Sequence, residues 1–170
     1  KYAKATNGKT FADSTQTVFQ GIVAQSPIQY YAKNGKLIYE SSKSVQDAWS
    51  IASQLAPYTG SANIFSTEWN AGIGNGSYAC VLAPAWMLGL IRGAAGDAGK
   101  GKWNVTTVPG GGGNWGGSWL TVSKSTKHPK EAAALVKWLL APAQQNTLFL
   151  TKTMFPSVPA LLKDPAVAGF

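Results

Sequence analysis

Acid–base and nucleophilic side chains are scarce in this sequence: one histidine, one cysteine and seven carboxylates among 170 residues. The histidine, His128, stands beside Pro129 at an expected helix start, a place suited to capping or solvation, and no buried carboxylate of the kind a Ser-His-Asp triad needs is identifiable. Glycoside hydrolysis takes two carboxyl groups about 5–9.5 Å apart. Glu40, Asp47, Glu68 and Asp97 qualify by chemistry alone, and none forms a recognisable pair. Cys80 has no second cysteine to bridge to, and no CxxC or histidine-rich spacing would hold zinc, so the thiol is expected to pack as a small hydrophobe. The expectation is a protein that is not an enzyme, with no catalytic residue, no metal and no cofactor.

Two glycine patterns invite a nucleotide reading and fail on context. Gly111 to Gly116 satisfies GxGxxG, but a strand is expected after it, whereas the fingerprint requires a helix whose N-terminus faces the pyrophosphate. Gly96 to Lys102 matches GxxxxGK, yet Trp103 stands where a magnesium-binding Ser or Thr is needed. The net charge of +8 could suggest a polyanion partner, but Lys1, Lys4, Lys9, Lys100, Lys102, Lys124, Lys127, Lys130 and Lys137 are scattered, and no three basic residues are consecutive. Blocks of like charge mark nucleic-acid binding, and here there are none. Excess lysine on a solvated surface is the reading of the charge, and no nucleic-acid partner is expected.

Aromatic residues beside turns remain. Trp86 follows an expected buried strand and Pro84 at the start of a helix, and open α/β sheets bind ligands beyond the carboxyl ends of their strands. Trp115 sits among glycines that leave its indole accessible and bring backbone N–H groups near a guest, with Asn114 beside it. A pyranose can stack its C–H face on such a ring while its hydroxyls pair with amides and backbone groups, so these residues suggest carbohydrate binding. Exposed Trp residues also form protein interfaces.

The elements that must position these side chains alternate between helix and strand. Val18, Phe19, Ile22 and Val23 fall at helical spacing behind the capping candidates Asp13 and Ser14, giving a helix from Asp13 to Ala24. Tyr30-Tyr31 and Leu37-Ile38 flank Asn34-Gly35 as a hairpin. Ser41 and Ser42 cap a second helix through Ala56, which places Trp49 in the core with Val45, Ala48, Ala52 and Leu55. A helix from Ser66 to about Ile73, a strand from Tyr78 to Leu82 and a helix from Trp86 to about Ala94 follow. Trp103–Val108 and Trp119–Ser123 read as strands. Pro129 opens a helix to Leu140 with a buried stripe of Ala132, Leu135, Val136, Leu139 and Leu140, and Pro142 opens another to about Leu150 before a short final helix. The fold class is α/β. No run of 18 apolar residues occurs and the chain does not open on a signal peptide, so any export address is expected outside this sequence.

The order of these motifs resembles a known family. Tyr78 to Met87, Trp103-Asn104-Val105, Val108-Pro109-Gly110, Asn114 to Lys124, His128 to Ala133, Trp138-Leu139, Pro142 to Gln145 and Phe155-Pro156-Ser157 together resemble the family 1 extracellular solute-binding proteins of sugar ABC transporters. The likeness is to the actinobacterial cellobiose and cello-oligosaccharide binders, and it is good from about residue 66 onward. It implies a periplasmic-binding-protein-like (type II) two-lobe fold, with sugar held in an interlobe cleft as the lobes close. It also implies a stacking Trp at Trp86, contacts from Asn114 and Trp115 on the loop approaching the interlobe crossing, and a looser correspondence of Asp13 and Gln16 to a cleft-facing position. Trp69 could face the cleft or the core, while Trp103 and Trp138 are assigned to packing.

Members of that family are longer. The resemblance implies that residues 1–116 form the second lobe, that 117–160 cross back into the first, and that 161–170 begin the return. The missing part of the same protein would then be a complementary chain. A cell-surface receptor is implied: extracellular, lipid-anchored and monomeric when complete, handing an oligosaccharide to a membrane permease. The alternative is an aromatic-rich polysaccharide-adhesion or protein-interaction module without a closing cleft.

Overall fold

Where hydroxyl side chains precede apolar periodicity, helices start. The computed structural model describes residues 10–169, so Lys1, Lys4 and Lys9 lie outside the described residues. Strand β1 (Thr10–Ala12) runs directly into helix α1 (Thr15–Val23), whose N-cap Ser14 accepts a hydrogen bond from the Thr17 amide. Helix α2 (Lys43–Leu55) follows the Asn34-Gly35 turn, where Gly35 takes φ +81° and Ile38 N–H donates to the Tyr30 carbonyl at 2.8 Å. The expected hairpin is present as one antiparallel bridge, Tyr31 to Leu37. Helix α3 (Thr67–Gly74) is capped by Ser66, strand β2 is Tyr78–Cys80, and a 3-10 turn at Ala85–Met87 leads into helix α4 (Leu88–Ala95).

The chain divides into two compact units, residues 1–115 and 116–170. In the first, β1 and β2 pair in parallel with Thr10 opposite Tyr78 and Ala12 opposite Cys80, and Thr10 Oγ1 donates to the Ser77 carbonyl at 2.7 Å. Parallel strands need a long crossover, which here carries α1, α2 and α3. One apolar cluster gathers Trp69, Ile73, Tyr78, Met87, Ile91 and Ala95, so α3 packs on α4. A second gathers Ala12, Val18 and Ala52, joining α1 to α2, with Cys80 packed against it as expected. A buried Trp removes roughly 150–250 Å² from water, which at about 25 cal/mol per Å² contributes several kcal/mol, so Trp69 is the principal anchor.

Trp49 does not join this core. It is 63% exposed, because the face of α2 that meets α1 is the pair of small residues Ala48 and Ala52. Trp49 stands next to that seam and touches Phe19 edge-on at 6.0 Å. The alternating segments Trp103–Val108 and Trp119–Ser123 are not strands either. Alternation fits a half-buried strand, but a strand forms only where a neighbour satisfies its backbone groups, and neither segment enters a ladder.

The second unit contains helix α5 (Pro129–Leu139), helix α6 (Pro142–Lys152) and the short helix α7 (Pro165–Ala168). Each has proline in its first turn, where the absent N–H leaves no bond unmade. His128 occupies the N-cap position of α5 without a side-chain capping bond. The expected buried stripe of α5 is open instead: Leu135, Leu139 and Leu140 are exposed, Ala132 and Val136 are half-buried, and Trp138, expected to pack, is 57% exposed. Burial in this unit centres on Gln145, Phe149, Pro156 and Val167. Gln145 Nε2 donates to the Leu140 carbonyl and its Oε1 accepts from the Ser157 amide at 2.8 Å, while Phe149 meets Phe155 edge-on.

Candidate functional site

The chain leaves β2 through Val81–Pro84 and turns at Ala85–Met87, and this turn divides two adjacent side chains. Met87 is wholly buried in the α3–α4 cluster, while Trp86 stands 44% exposed. The buried methionine fixes the turn, and so fixes where Trp86 emerges. Trp86 Nε1 donates to the Trp115 carbonyl at 3.1 Å, and the half-buried Trp115 packs on the same cluster. Two of the residues singled out from sequence are therefore neighbours although 29 positions apart.

Phe65, which no sequence pattern marks, completes the group. It is the residue before the Ser66 cap, 48% exposed, with φ +68°. A phenylalanine in the left-handed region costs about 1–3 kcal/mol and persists only where its surroundings impose it. The surroundings here are aromatic: its ring meets Trp69 edge-on at 5.6 Å and lies 6.2 Å from Trp86 with planes inclined by 37°. Packing of the residue before an N-cap onto the first turn of its helix is common, and that is the only local signal that could have pointed to Phe65.

Trp69 is core, with no exposed surface, and its Nε1 donates to Asp13 Oδ2 at 2.8 Å. Asp13 is likewise fully buried, and its Oδ1 accepts from Thr17 Oγ1 at 2.6 Å. Both carboxylate oxygens thus serve protein donors, so Asp13 braces the interior behind the aromatic group instead of opening to a cleft. Burial pushes its carboxyl above the ordinary value, and the bonds from Thr17 and Trp69 oppose that shift. Burial, with the Asp13 charge adding to it, also raises the Cys80 thiol, whose Sγ donates to the Phe11 carbonyl at 3.3 Å.

Asn114 belongs to the glycine loop, which is tied to the end of α1. Gln25 Nε2 donates to the carbonyls of Pro109 at 3.0 Å and Gly111 at 2.6 Å. A Cβ at Gly113 would lie 2.6 Å from the Ala24 carbonyl carbon and oxygen, so only glycine permits this approach. Exposed Asn114, with Gln25 and Gln29, lines an open concavity of ≈ 710 Å³. Gln16 is exposed at the opposite end of α1 and is not among those lining residues.

The group can stack and hydrogen-bond. Its outward-facing side chains are aromatic or amide, and its one carboxylate is turned inward. Of the carboxylates weighed for acid–base work, Asp47 pairs with Lys43 at 2.6 Å, Glu40 accepts from the Tyr39 hydroxyl, Glu68 lies in the first turn of α3 and Asp97 opens the 3-10 turn Asp97–Gly99. Among the described residues no three His, Cys, Asp or Glu side chains cluster as metal ligands, and no helix is long and apolar enough to cross a membrane.

A family model described as bacterial extracellular solute-binding protein matches residues 1–168. A crystal structure described as an extracellular solute-binding protein family 1 is similar over 99% of this chain, with 30% identity and a TM-score of 0.85. The chain spans 44% of the length of that solved structure. No curated protein matches the chain.

Proposed function

From the premise that this chain belongs to the bacterial extracellular solute-binding proteins and has their mixed α/β, type II periplasmic-binding fold, we propose that its solute is an oligosaccharide of the cellobiose or cello-oligosaccharide kind, captured for delivery to an ABC permease. The observation that carries the reading is Trp86: an indole with an open face, its ring edge pinned by the Trp115 carbonyl and its backbone fixed by buried Met87. A ring held in one orientation pays little entropy to receive a sugar face. Trp115 and Asn114, next to each other on the glycine loop, and Gln16 on α1 are assigned to the ligand as further contacts. Asp13 acts from behind, through Trp69. Two-lobed capture with closure, a segment returning from one lobe to the other after about residue 116, and lipid anchoring at the cell surface belong to the same proposal.

Titration of cellobiose, cellotriose and xylobiose, followed by Trp fluorescence and calorimetry, tests it. Binding of at least one sugar is expected, and Trp86→Ala should weaken it about tenfold or more while leaving the melting temperature nearly unchanged. A variant that keeps full affinity removes the stacking role, and no response to any of the sugars removes the carbohydrate reading. The open apolar side chains of residues 116–169, including Trp119 at 82% exposure, favour a second reading as an adhesion or protein-interaction module. Solution scattering separates the two, since a closing receptor compacts on binding sugar and an adhesion module does not.

A further inference from the structure

The glycine loop has little of its own to hold it in place. Five of the seven residues from Gly110 to Gly116 are glycine, with φ of +90° at Gly110 and +106° at Gly111, and glycine loses more conformational freedom on being fixed than any other residue. Among the described residues, two side chains hydrogen-bond to the backbone of residues 109–115. Gln25 uses both amide hydrogens at one end, donating from Nε2 to the carbonyls of Pro109 at 3.0 Å and Gly111 at 2.6 Å, and Trp86 donates to the Trp115 carbonyl at the other. Between these two tethers Gly113 lies against the Ala24 carbonyl, and a Cβ at Gly110 would stand 3.0 Å from Gln25 Oε1. One short span of chain therefore connects the Gln25 amide to the acceptor that pins the Trp86 ring. The amide lines the open concavity, so it competes with water for both carbonyls, and the tether is one that a single substitution can release.

We propose that Gln25 is a clasp, a positioning residue that holds the glycine loop on the end of α1 and so keeps the Trp115 carbonyl in place for the Trp86 indole. With the clasp open, the carbonyl leaves the indole N–H and the ring turns freely, and binding a ligand must then order the ring as well. That the loop serves a sugar rests on the carbohydrate reading above; that Gln25 holds the ring's acceptor does not.

Gln25→Glu tests this, because it keeps the shape of the side chain and, when ionised, sets a carboxylate against two carbonyls where an amide donated to both. At pH 7 the affinity for cellobiose, by calorimetry, should fall about three- to tenfold relative to the parent. The Trp86 indole N–H, followed by NMR and assigned by its loss in Trp86→Phe, should shift and exchange faster with solvent. At pH 4, close to the ordinary glutamate value of about 4.3, the carboxyl regains a donor, and both readouts should return toward those of the parent at the same pH. No residue lining the concavity beside Gln25 is titratable, and comparison with the parent at each pH removes the contribution of Asp13. A role confined to stability would lower the melting temperature without this recovery. An unchanged affinity, an unchanged indole signal, or a loss that persists at pH 4 overturns the clasp and leaves the Trp86 site standing. If the unsubstituted chain binds no sugar, the carbohydrate reading fails and the indole signal alone decides the clasp.

Discussion

Residues 10–115 hide their central tryptophan, while residues 116–169 display theirs. Trp69 is enclosed by α3, α4 and the start of β2, and it finds an acceptor for its indole N–H in Asp13. Trp138 projects from α5 into solvent, and Trp119 does so from an irregular segment. The two units follow the same local rules, with every helix but α4 starting at a serine or a proline. What differs is enclosure: the first unit stacks two helix pairs around a parallel strand pair, whereas the second has two 11-residue helices with few partners. A unit of about fifty residues buries only a modest share of its apolar surface, and its core forms around a hydrogen-bonded glutamine.

The largest expected effect tests the first half of this contrast. Trp69→Ala should destabilise the first unit by about 3–5 kcal/mol in urea unfolding, since it opens a cavity and strips Asp13 of a donor. A loss below about 1 kcal/mol would mean that the aromatic frame is not the anchor. Asp13→Asn probes the same frame through pH. With its folded pKa raised, Asp13 holds a proton that the unfolded chain releases, so its contribution to stability declines as pH rises from about 4 through the raised value. The stability difference between the asparagine variant and the parent should therefore move in favour of asparagine over that range. A difference that is flat with pH would show that hydrogen bonds fully offset the burial. The smallest effect is expected for Trp138→Ser, within about 0.5 kcal/mol of the parent. A larger loss would reveal burial of Trp138 in solution and erase the contrast.

Local signals are legible in the sequence. Ser14, Ser66, Pro129 and Pro142 mark helix starts because capping and proline geometry act over three or four residues. Trp86 was recognisable from its place after a strand and a proline, and the Ser-Ala-Asn-Ile-Phe stretch ending at Phe65 was not, since only glycine or asparagine advertises a left-handed backbone. Depth was harder to read than periodicity. Trp49 and Trp138 lie on helices with clear apolar faces, yet which part of a face is covered depends on partners remote in sequence. The bonds that join the site span long intervals, from Gln25 to Gly111, from Trp86 to Trp115 and from Asp13 to Trp69, and no window along the chain contains them.

Cys80 gives this architecture an internal clock. It is the only cysteine, it sits in the strand that pairs with β1, and its thiol is partly covered and disfavoured as thiolate. Alkylation needs the thiolate and a path to it, so any parting of the strand pair should speed labelling above the rate of the closed pair. A slowing of that rate on adding sugar would read out, at one sulfur atom, how far ligand capture steadies the sheet beneath the aromatic site.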